Sequence, residues 1–527
     1  MAAPKLKKDW QAAASTLGLQ TTGTKAQVQE RVTQFGYNAT VDKGRRQAPQ
    51  KRVKHESLIL KPKDRKKLNA TAQDQIRNHS LVAWMVRKHL DYVSKFHVSI
   101  RTGHEDVDAL LNRILKWHGS PKNLDIAQRL GRDEFFRMFE LEKVTNGDSG
   151  IIKLADVKLQ GLESDLIAKT SDYKPEDHGG IIINPEGLEV DPSTGRRIRF
   201  AVANRGGSNG AIQFDHLELA ENVIFDGYWT RQTSQYRGVS PLSTAINMVQ
   251  DIHAGFEYNA VKAAVHALFG VAIMRDSGPS GELGGAAGAT SETAGAASTA
   301  SGSDLDLNPR AINVLDMNQG DTVDIIESKT PSTEFVNGSY LFIQIAMLAL
   351  DIPVTSFDSR RSSFSARIAD LNEYEVSVDS KRTKNRYVRR EYSDWLLAQI
   401  WGGATEFSAD LLRVAGAAKM DLFAIQEAIE WIPAGSPWLD KKKQIEGDKL
   451  GIEIGVDNVV DAARRKGGDF FRNIDKQEQA IKYAVDHKVP LTVASTTGVT
   501  IDQLITNAVQ AGMQPDDQDE EPSDADE

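Results

Sequence analysis

The 527-residue sequence predicts an α+β fold organised around one unusually long helix. Three observations carry that expectation. Helical and strand-like patterns intermix from about Ala70 to Phe225. A single apolar period then runs unbroken from Pro241 to about Phe269. Beyond it come a short β excursion, a second helix, a polar loop, a third long helix and a helical end.

Lys5 to Tyr37 reads as a small helix–loop–helix, with Leu6, Trp10, Ala13, Ala14 and Leu17 on one stripe and Val28, Val32 and Phe35 on another. Gly23 permits the turn, and Thr24 with Gln27 makes a capping box. Helices are expected over Leu81–Phe96, Asp106–His118 and Asn123–Phe139, and strands over Gly150–Leu154, Gly180–Ile183 and Arg197–Val202. The long helix has a clear start. Ser240 can cap free N–H groups, and Pro241 sits where its missing N–H costs nothing. Leu242, Ile246, Val249, Ile252 and Phe256 then recur at three- and four-residue steps, giving way to Ala260, Ala263, Ala264 and Ala267. Its length would be roughly 43 Å. Val271–Met274 and Thr322–Ile326 read as strands, as does Ala311–Leu315. Between them, Ser277–Ser303 is dominated by Gly, Ala, Ser and Thr, as expected of a flexible insertion. A second helix is expected over Thr333–Leu350, closed by Asp351-Ile352-Pro353, and a third over Ala366–Trp401.

Composition narrows the function. There is no cysteine, so disulfides and thiolate metal sites are excluded. The longest apolar run, Tyr340–Leu350, is too short to cross a bilayer, so no membrane span is expected. Net charge is −9 but unevenly spread. Val41–Lys67 holds eleven basic residues against three acids, and Pro515–Glu527 holds eight acids and no base. The basic stretch suits either a solvated linker or a nucleic-acid contact; the acidic tail lacks the apolar content for a core. No phosphate-loop motif G-x-x-x-x-G-K-[ST] and no H-E-x-x-H occurs, and the eleven histidines show no ligand spacing. Gly206-Gly207-Ser208-Asn209-Gly210 matches G-x-S-x-G, but strand-like flanks on both sides point to a hairpin turn. No enzymatic chemistry, cofactor or metal is expected.

Two resemblances follow from particular residues. Leu17, Gly18, Leu19, Gly23, Thr24, Lys25, Val28, Arg31 and Val32 resemble a SAP domain, a short helix-extension-helix module that usually binds DNA. Five later blocks are similar, in order, to lambda-type tailed-phage portal proteins. They are GLEVDPSTGRRIRFAV (Gly187–Val202), LAENVIFD (Leu219–Asp226), QYRGVSPL (Gln235–Leu242), IAMLALDIPVTSFDSRRSSFSARIADLNE (Ile345–Glu373) and IPAGSPWLDKKKQIEGDKLGIEIGVDN (Ile432–Asn458). The chain departs from the family's Leu-Gly-Ile-Pro at Leu348–Pro353, where Ala-Leu-Asp stands in place of Leu-Gly.

The resemblance implies a portal-type fold and a homo-oligomeric ring, typically a dodecamer, at one capsid vertex of a virion assembled in the host cytoplasm. It would conduct double-stranded DNA, without sequence preference, during packaging and ejection. Its partners would be the terminase large subunit, which supplies ATP hydrolysis, the major capsid protein, and tail or adaptor proteins. The implied divisions are a SAP-like module (1–40), a basic linker (41–69), a wing (70–238), a first stem helix (239–270) and a clip (271–330). A second stem helix (331–353), a channel loop (354–365), a long wing helix (366–410), a helical crown (411–510) and an acidic tail (511–527) complete the chain. Ser356, Asp358, Ser359, Arg360, Arg361, Ser362 and Ser363 would line the channel. Lys25, Arg31, Arg45, Arg46, Lys51 and Arg52 are candidate DNA contacts, and Ala260, Ala263, Ala264 and Ala267 candidate stem contacts between subunits. The competing readings are a DNA-binding protein of another kind, built on the SAP-like segment, and a scaffold protein.

Overall fold

The computed structural model describes residues 55–206, 211–229, 232–268, 271–275, 321–325, 331–435 and 440–487. The expected SAP-like module, most of the basic linker, the insertion and the acidic tail lie outside those residues. The chain divides into two units, Met1–Lys61 with Arg231–Tyr236, and the remainder. In the first, His55 caps the single helical turn Glu56–Ile59, and its Nε2 meets the Ser234 carbonyl at 2.8 Å. The Glu56 N–H donates to Gln232 Oε1 at 3.0 Å.

The second unit mixes helices with small antiparallel sheets. Its helices begin with α1 (Pro62–Asn78), α2 (Ser80–Val93), α3 (Glu105–His118) and α4 (Arg132–Asn146), with strand β1 (Phe96–Ile100) between α2 and α3. Strands β2 (Asp148–Lys153), β3 (Leu159–Leu162), β4 (Leu188–Val190), β5 (Arg197–Arg205), β6 (Ile212–Leu219) and β7 (Val223–Gly227) follow. They form two three-stranded sheets, ordered β3-β2-β7 and β4-β5-β6, with every pair antiparallel. The long helix α5 (Ile246–Leu268) leads to a two-stranded ladder of β8 (Val271–Arg275) and β9 (Asp321–Ile325). Next come α6 (Thr333–Met347), α7 (Phe364–Trp401), α8 (Ser408–Ala417), α9 (Leu422–Glu427), β10 (Ile429–Pro433), α10 (Lys441–Glu453), α11 (Val459–Arg465) and α12 (Phe470–Asp486).

Besides a small cluster of Tyr173, Ile183 and Ala201, two larger hydrophobic cores are described in this unit, and α7 runs through both. The first gathers Leu111 and Ile114 of α3, Phe136 of α4, Leu396 and Ile400 of α7, Leu411 of α8 and Trp431 of β10. The second gathers Met85 and Leu90 of α2, Val249 and Ile252 of α5, Ala346 and Met347 of α6, and Tyr374 and Val378 of α7. This 38-residue helix packs in the second core at Tyr374 and Val378 and in the first from Val388 to Ile400, so it ties the two cores together.

Several expectations need correction. The helix expected over Leu81–Phe96 stops at Val93, and Phe96 instead opens β1, which pairs with β10 from Phe96↔Pro433 to Ile100↔Ile429. The helix expected over Asn123–Phe139 is broken. The Asp125 carboxylate accepts from the N–H groups of Ala127, Arg129 and Leu130 at 3.0, 3.0 and 3.1 Å, and Gln128 turns at φ 54°. A short polar side chain has taken the backbone donors that would have continued the helix. No strand forms over Gly180–Ile183, because Gly179 and Gly180 both adopt left-handed φ. The basic linker does not reach residue 69: α1 starts at Pro62 and carries the buried Arg65. The segment 411–433, expected with the crown, packs in the first core instead, since Leu411, Ile425 and Trp431 are all buried there. Finally, Thr333–Leu350 is long and apolar enough to cross a membrane by length and composition, with 22% of that stretch buried. Its first turns precede the Tyr340–Leu350 run, and Ile343, Ala346 and Met347 anchor the helix in the second core.

Candidate functional site

The site of interest is the pair α5 and α6, the polar segment after them, and the buried groups that hold their base. Ser240 performs its capping role: its Oγ accepts from the Leu242 N–H at 3.2 Å and donates to the Val144 carbonyl at 2.7 Å. The first turn, Pro241–Thr244, is a tight 3-10 turn before α5 begins. Only the first turns of α5 are buried, through Val249 and Ile252; Ala260 and Ala263 are exposed, and the side chains of Ala264 and Ala267 lie outside the described residues. Helix α6 starts with Ser332 capping the Phe335 N–H at 3.2 Å. The two helices touch through Phe256 and Phe335, edge to face at 5.6 Å between ring centres. A groove of about 500 Å³ lies around that contact, lined among others by Phe256, Ala260, Ala263, Phe335, Tyr340 and Asp358.

The polar segment is more ordered than a plain loop. It holds two 3-10 turns, Val354–Ser356 and Ser359–Arg361. The Asp358 carboxylate accepts from the Arg360 N–H at 3.1 Å, and Ser363 caps α7 by accepting from the Ala366 N–H at 3.2 Å. That cap starts α7 at Phe364, two residues before the expected Ala366. Buried Thr355 and the edge-on contact of Phe357 with Trp84 anchor the segment. Ser356, Ser359, Arg360 and Ser363 are exposed, and Asp358 and Ser362 are partly exposed; the Arg361 side chain lies outside the described residues. Asp351 takes the left-handed conformation, φ 60°, that a glycine would occupy. Its carboxylate accepts from Ser377 Oγ at 2.6 Å and Lys381 Nζ at 2.8 Å, tying the end of α6 to α7.

The base of α5 is held by a buried ionic knot that sequence reasoning missed. Arg237 is 2% exposed. Its Nε and Nη2 donate to the two oxygens of Asp148 at 2.8 and 2.9 Å. Its remaining donors reach the carbonyls of Ile167, Glu186 and Ser164 at 2.8, 2.9 and 2.8 Å. Burial disfavours the Asp148 charge, but the Arg237 guanidinium outweighs it and holds the carboxyl below its ordinary range. Arg65 of α1 closes the knot, donating to the Gly238 carbonyl and facing Glu186 at 3.5 Å. Gly238 is required here, because a Cβ would sit 2.0 Å from the Gly147 carbonyl oxygen. A second buried cluster lies beside it. Glu140 accepts from Tyr228 Oη and Asn385 Nδ2, each at 3.0 Å, lies 3.0 Å from His89 Nε2, and pairs with Lys143 at 2.8 Å. Lys143 also pairs with Asp226 at 2.6 Å. Burial disfavours the Glu140 charge, and Lys143 with His89 reverses that, so the carboxylate stays ionised. Nothing in the one-dimensional pattern distinguishes Arg237 or Asp148 from surface charges; the only signal was that Arg237 sits inside QYRGVSPL.

Lys25, Arg31, Arg45, Arg46, Lys51 and Arg52 lie outside the described residues, so no geometry joins them to the site. Among the described residues no group of three His, Asp or Glu side chains could hold a metal ion. The G-x-S-x-G match falls between antiparallel strands β5 and β6, not between a strand and a helix.

The chain belongs to the lambda family of phage portal proteins: the family model described as "Phage portal protein, lambda family" matches residues 44–380. A probable portal protein of Halomonas phage phiHAP-1 is 51% identical over 41 residues, a match covering 8% of this chain and 8% of that relative. Among solved structures, a chain from the virion of a native gene transfer agent particle aligns with TM-score 0.39 and 13% identity, over 77% of this chain and 94% of that one. A chain from the neck of an empty gene transfer agent particle, computed with C6 symmetry, aligns with TM-score 0.40 and 14% identity, over 76% and 91%.

Proposed function

We propose that this chain is a portal: a homo-oligomeric ring at one capsid vertex, through which double-stranded DNA enters and leaves. The observation that carries the reading is the family match across residues 44–380, which takes in the helix pair and the polar segment. The geometry supports it. Among the described residues, α5 is buried through its first turns and α6 through its last, and both expose apolar residues such as Val261, Leu341 and Ile345. A monomer rarely leaves so much apolar surface bare. In the ring these helices are the stem, the β8–β9 ladder belongs to the clip, and the terminase docks on the clip. Helices α10 to α12 form the crown side; tail or adaptor proteins and the major capsid protein meet the ring elsewhere. The role is structural, and ATP hydrolysis comes from the terminase.

The segment Val354–Ser363 is the channel loop. A conduit must not hold its cargo, and phosphate affinity grows with each basic residue. Exposed serines with Arg360 and Arg361, offset by Asp358, suit a lining that touches DNA lightly. The dodecamer is the expected count. Negative-stain images of the purified chain test the reading: it requires closed rings with a central hole wide enough for duplex DNA, and particles without a hole would end it.

A further inference from the structure

We infer that the groove between α5 and α6 receives Tyr258 and Val261 of a second copy, so that one helix supplies both knob and hole of a head-to-tail contact. The inference rests on the ring reading and says which side chains join one subunit to the next.

The hole lies between the two helices. Ala260, Ala263 and Phe256 of α5 face Phe335 and Tyr340 of α6 across about 500 Å³, room enough for an aromatic side chain and a neighbour. The knob is on the same helix. Tyr258 is 74% exposed and Val261 60% exposed, large apolar side chains with no described cover. At 100° per residue they point about half a turn away from Phe256, Ala260 and Ala263. The two features therefore face opposite ways, as a head-to-tail contact requires and a two-fold contact does not. They also share one level along α5: the knob at 258 and 261 lies between groove residues 256 and 263. A copy rotated about an axis roughly parallel to α5, without sliding along it, brings knob to hole. Rotation without translation closes a ring, whereas any slide would build a filament. Asp358 lines the same groove, so the neighbour that fills it also touches the polar segment. Assembly and the shape of the channel loop are thereby coupled.

The test uses two variants of the full chain. Tyr258→Asp removes the knob at an exposed position and keeps the hole; Ala263→Trp fills the hole and keeps the knob. Each alone is expected to shift the assembly midpoint by about 10- to 100-fold for the contact it disables. Circular dichroism confirms that each is folded, and Tyr258→Ala serves as a milder knob variant. Mixed at a concentration where neither variant assembles alone, the two should form a 1:1 dimer as the main species, because each pair then keeps one intact knob–hole contact. Rings of Tyr258→Asp and Tyr258→Ala as stable as the parent's would overturn the inference and leave the portal reading standing. A mixture that stays monomeric would also overturn it. A parent chain that never assembles would overturn both.

Discussion

Replacing Arg237 with Met should be among the most damaging single changes in the described chain. The substitution keeps an unbranched side chain of similar reach and deletes the guanidinium. Asp148, whose side chain is 0% exposed, then keeps only donors such as Ser164 Oγ and the Gly238 N–H, both at 2.7 Å. A buried carboxylate stripped of its partner costs about 3–5 kcal/mol. Three carbonyls, of Ile167, Ser164 and Glu186, lose a charged donor as well. Against a typical total of roughly 5–15 kcal/mol, the loss is severe. Lysine should recover less than half, because one ammonium cannot reproduce the guanidinium fork. In a double-mutant cycle with Asp148→Asn, the coupling should exceed about 2 kcal/mol. Urea unfolding at fixed protein concentration measures it, and repeating it at 1 M salt asks whether the pair is screened. A loss under about 1 kcal/mol, or one that vanishes in salt, would mean the pair is solvent-exposed and the knot does not fix the base of α5.

Other outcomes follow from the same structure. Burial raises the Glu142 carboxyl to about 7 from an ordinary 4.5, against hydrogen bonds from Asn146 and the Ser164 N–H. The folded chain thus keeps a proton the unfolded chain has lost, and stability falls as pH rises between those values; Glu142→Gln should flatten that slope and gain about 1–3 kcal/mol at pH 8 by urea titration. Burial lowers His118 to about 4 from 6.5, so its contribution runs the other way, lost as pH falls through that window; His118→Gln should remove this part of the acid sensitivity. Arg360→Ala with Arg361→Ala should leave the ring intact while DNA retention falls in a packaging assay. Deleting residues 1–53 should weaken duplex binding and lessen its salt dependence, measured at two salt concentrations, with assembly unchanged. The cut must stop short of Pro62, because α1 supplies Arg65 to the knot.

The sequence made the helix pair legible because its signals are local. Ser240-Pro241 is a start signal, and the apolar steps from Leu242 to Phe256 are one helical face, so α5 was placed within a few residues. The third helix was equally plain, and the structure moves its start only to the serine cap at Ser363. What could not be read is non-local. Strand β10 lies more than 300 residues from its partner β1, and Ile429–Pro433 alone is too short to show a period. Asp125 looks like an ordinary helix residue until its carboxylate is seen to take three backbone donors. The knot brings together Arg65, Asp148, Glu186 and Arg237 from four separate segments. Charge and burial are independent in such a case, and only the folded chain shows which arginine is interior. The polar segment was found by composition, but its two 3-10 turns depend on Thr355 and Phe357 packing against distant residues.

The central claim is that α5 and α6 exist to build a closed ring, and light scattering on the size-exclusion peak tests it most directly. Twelve chains of 58.0 kDa should give a single species near 700 kDa, stable on dilution. A monomer or dimer at every concentration tried would contradict the account.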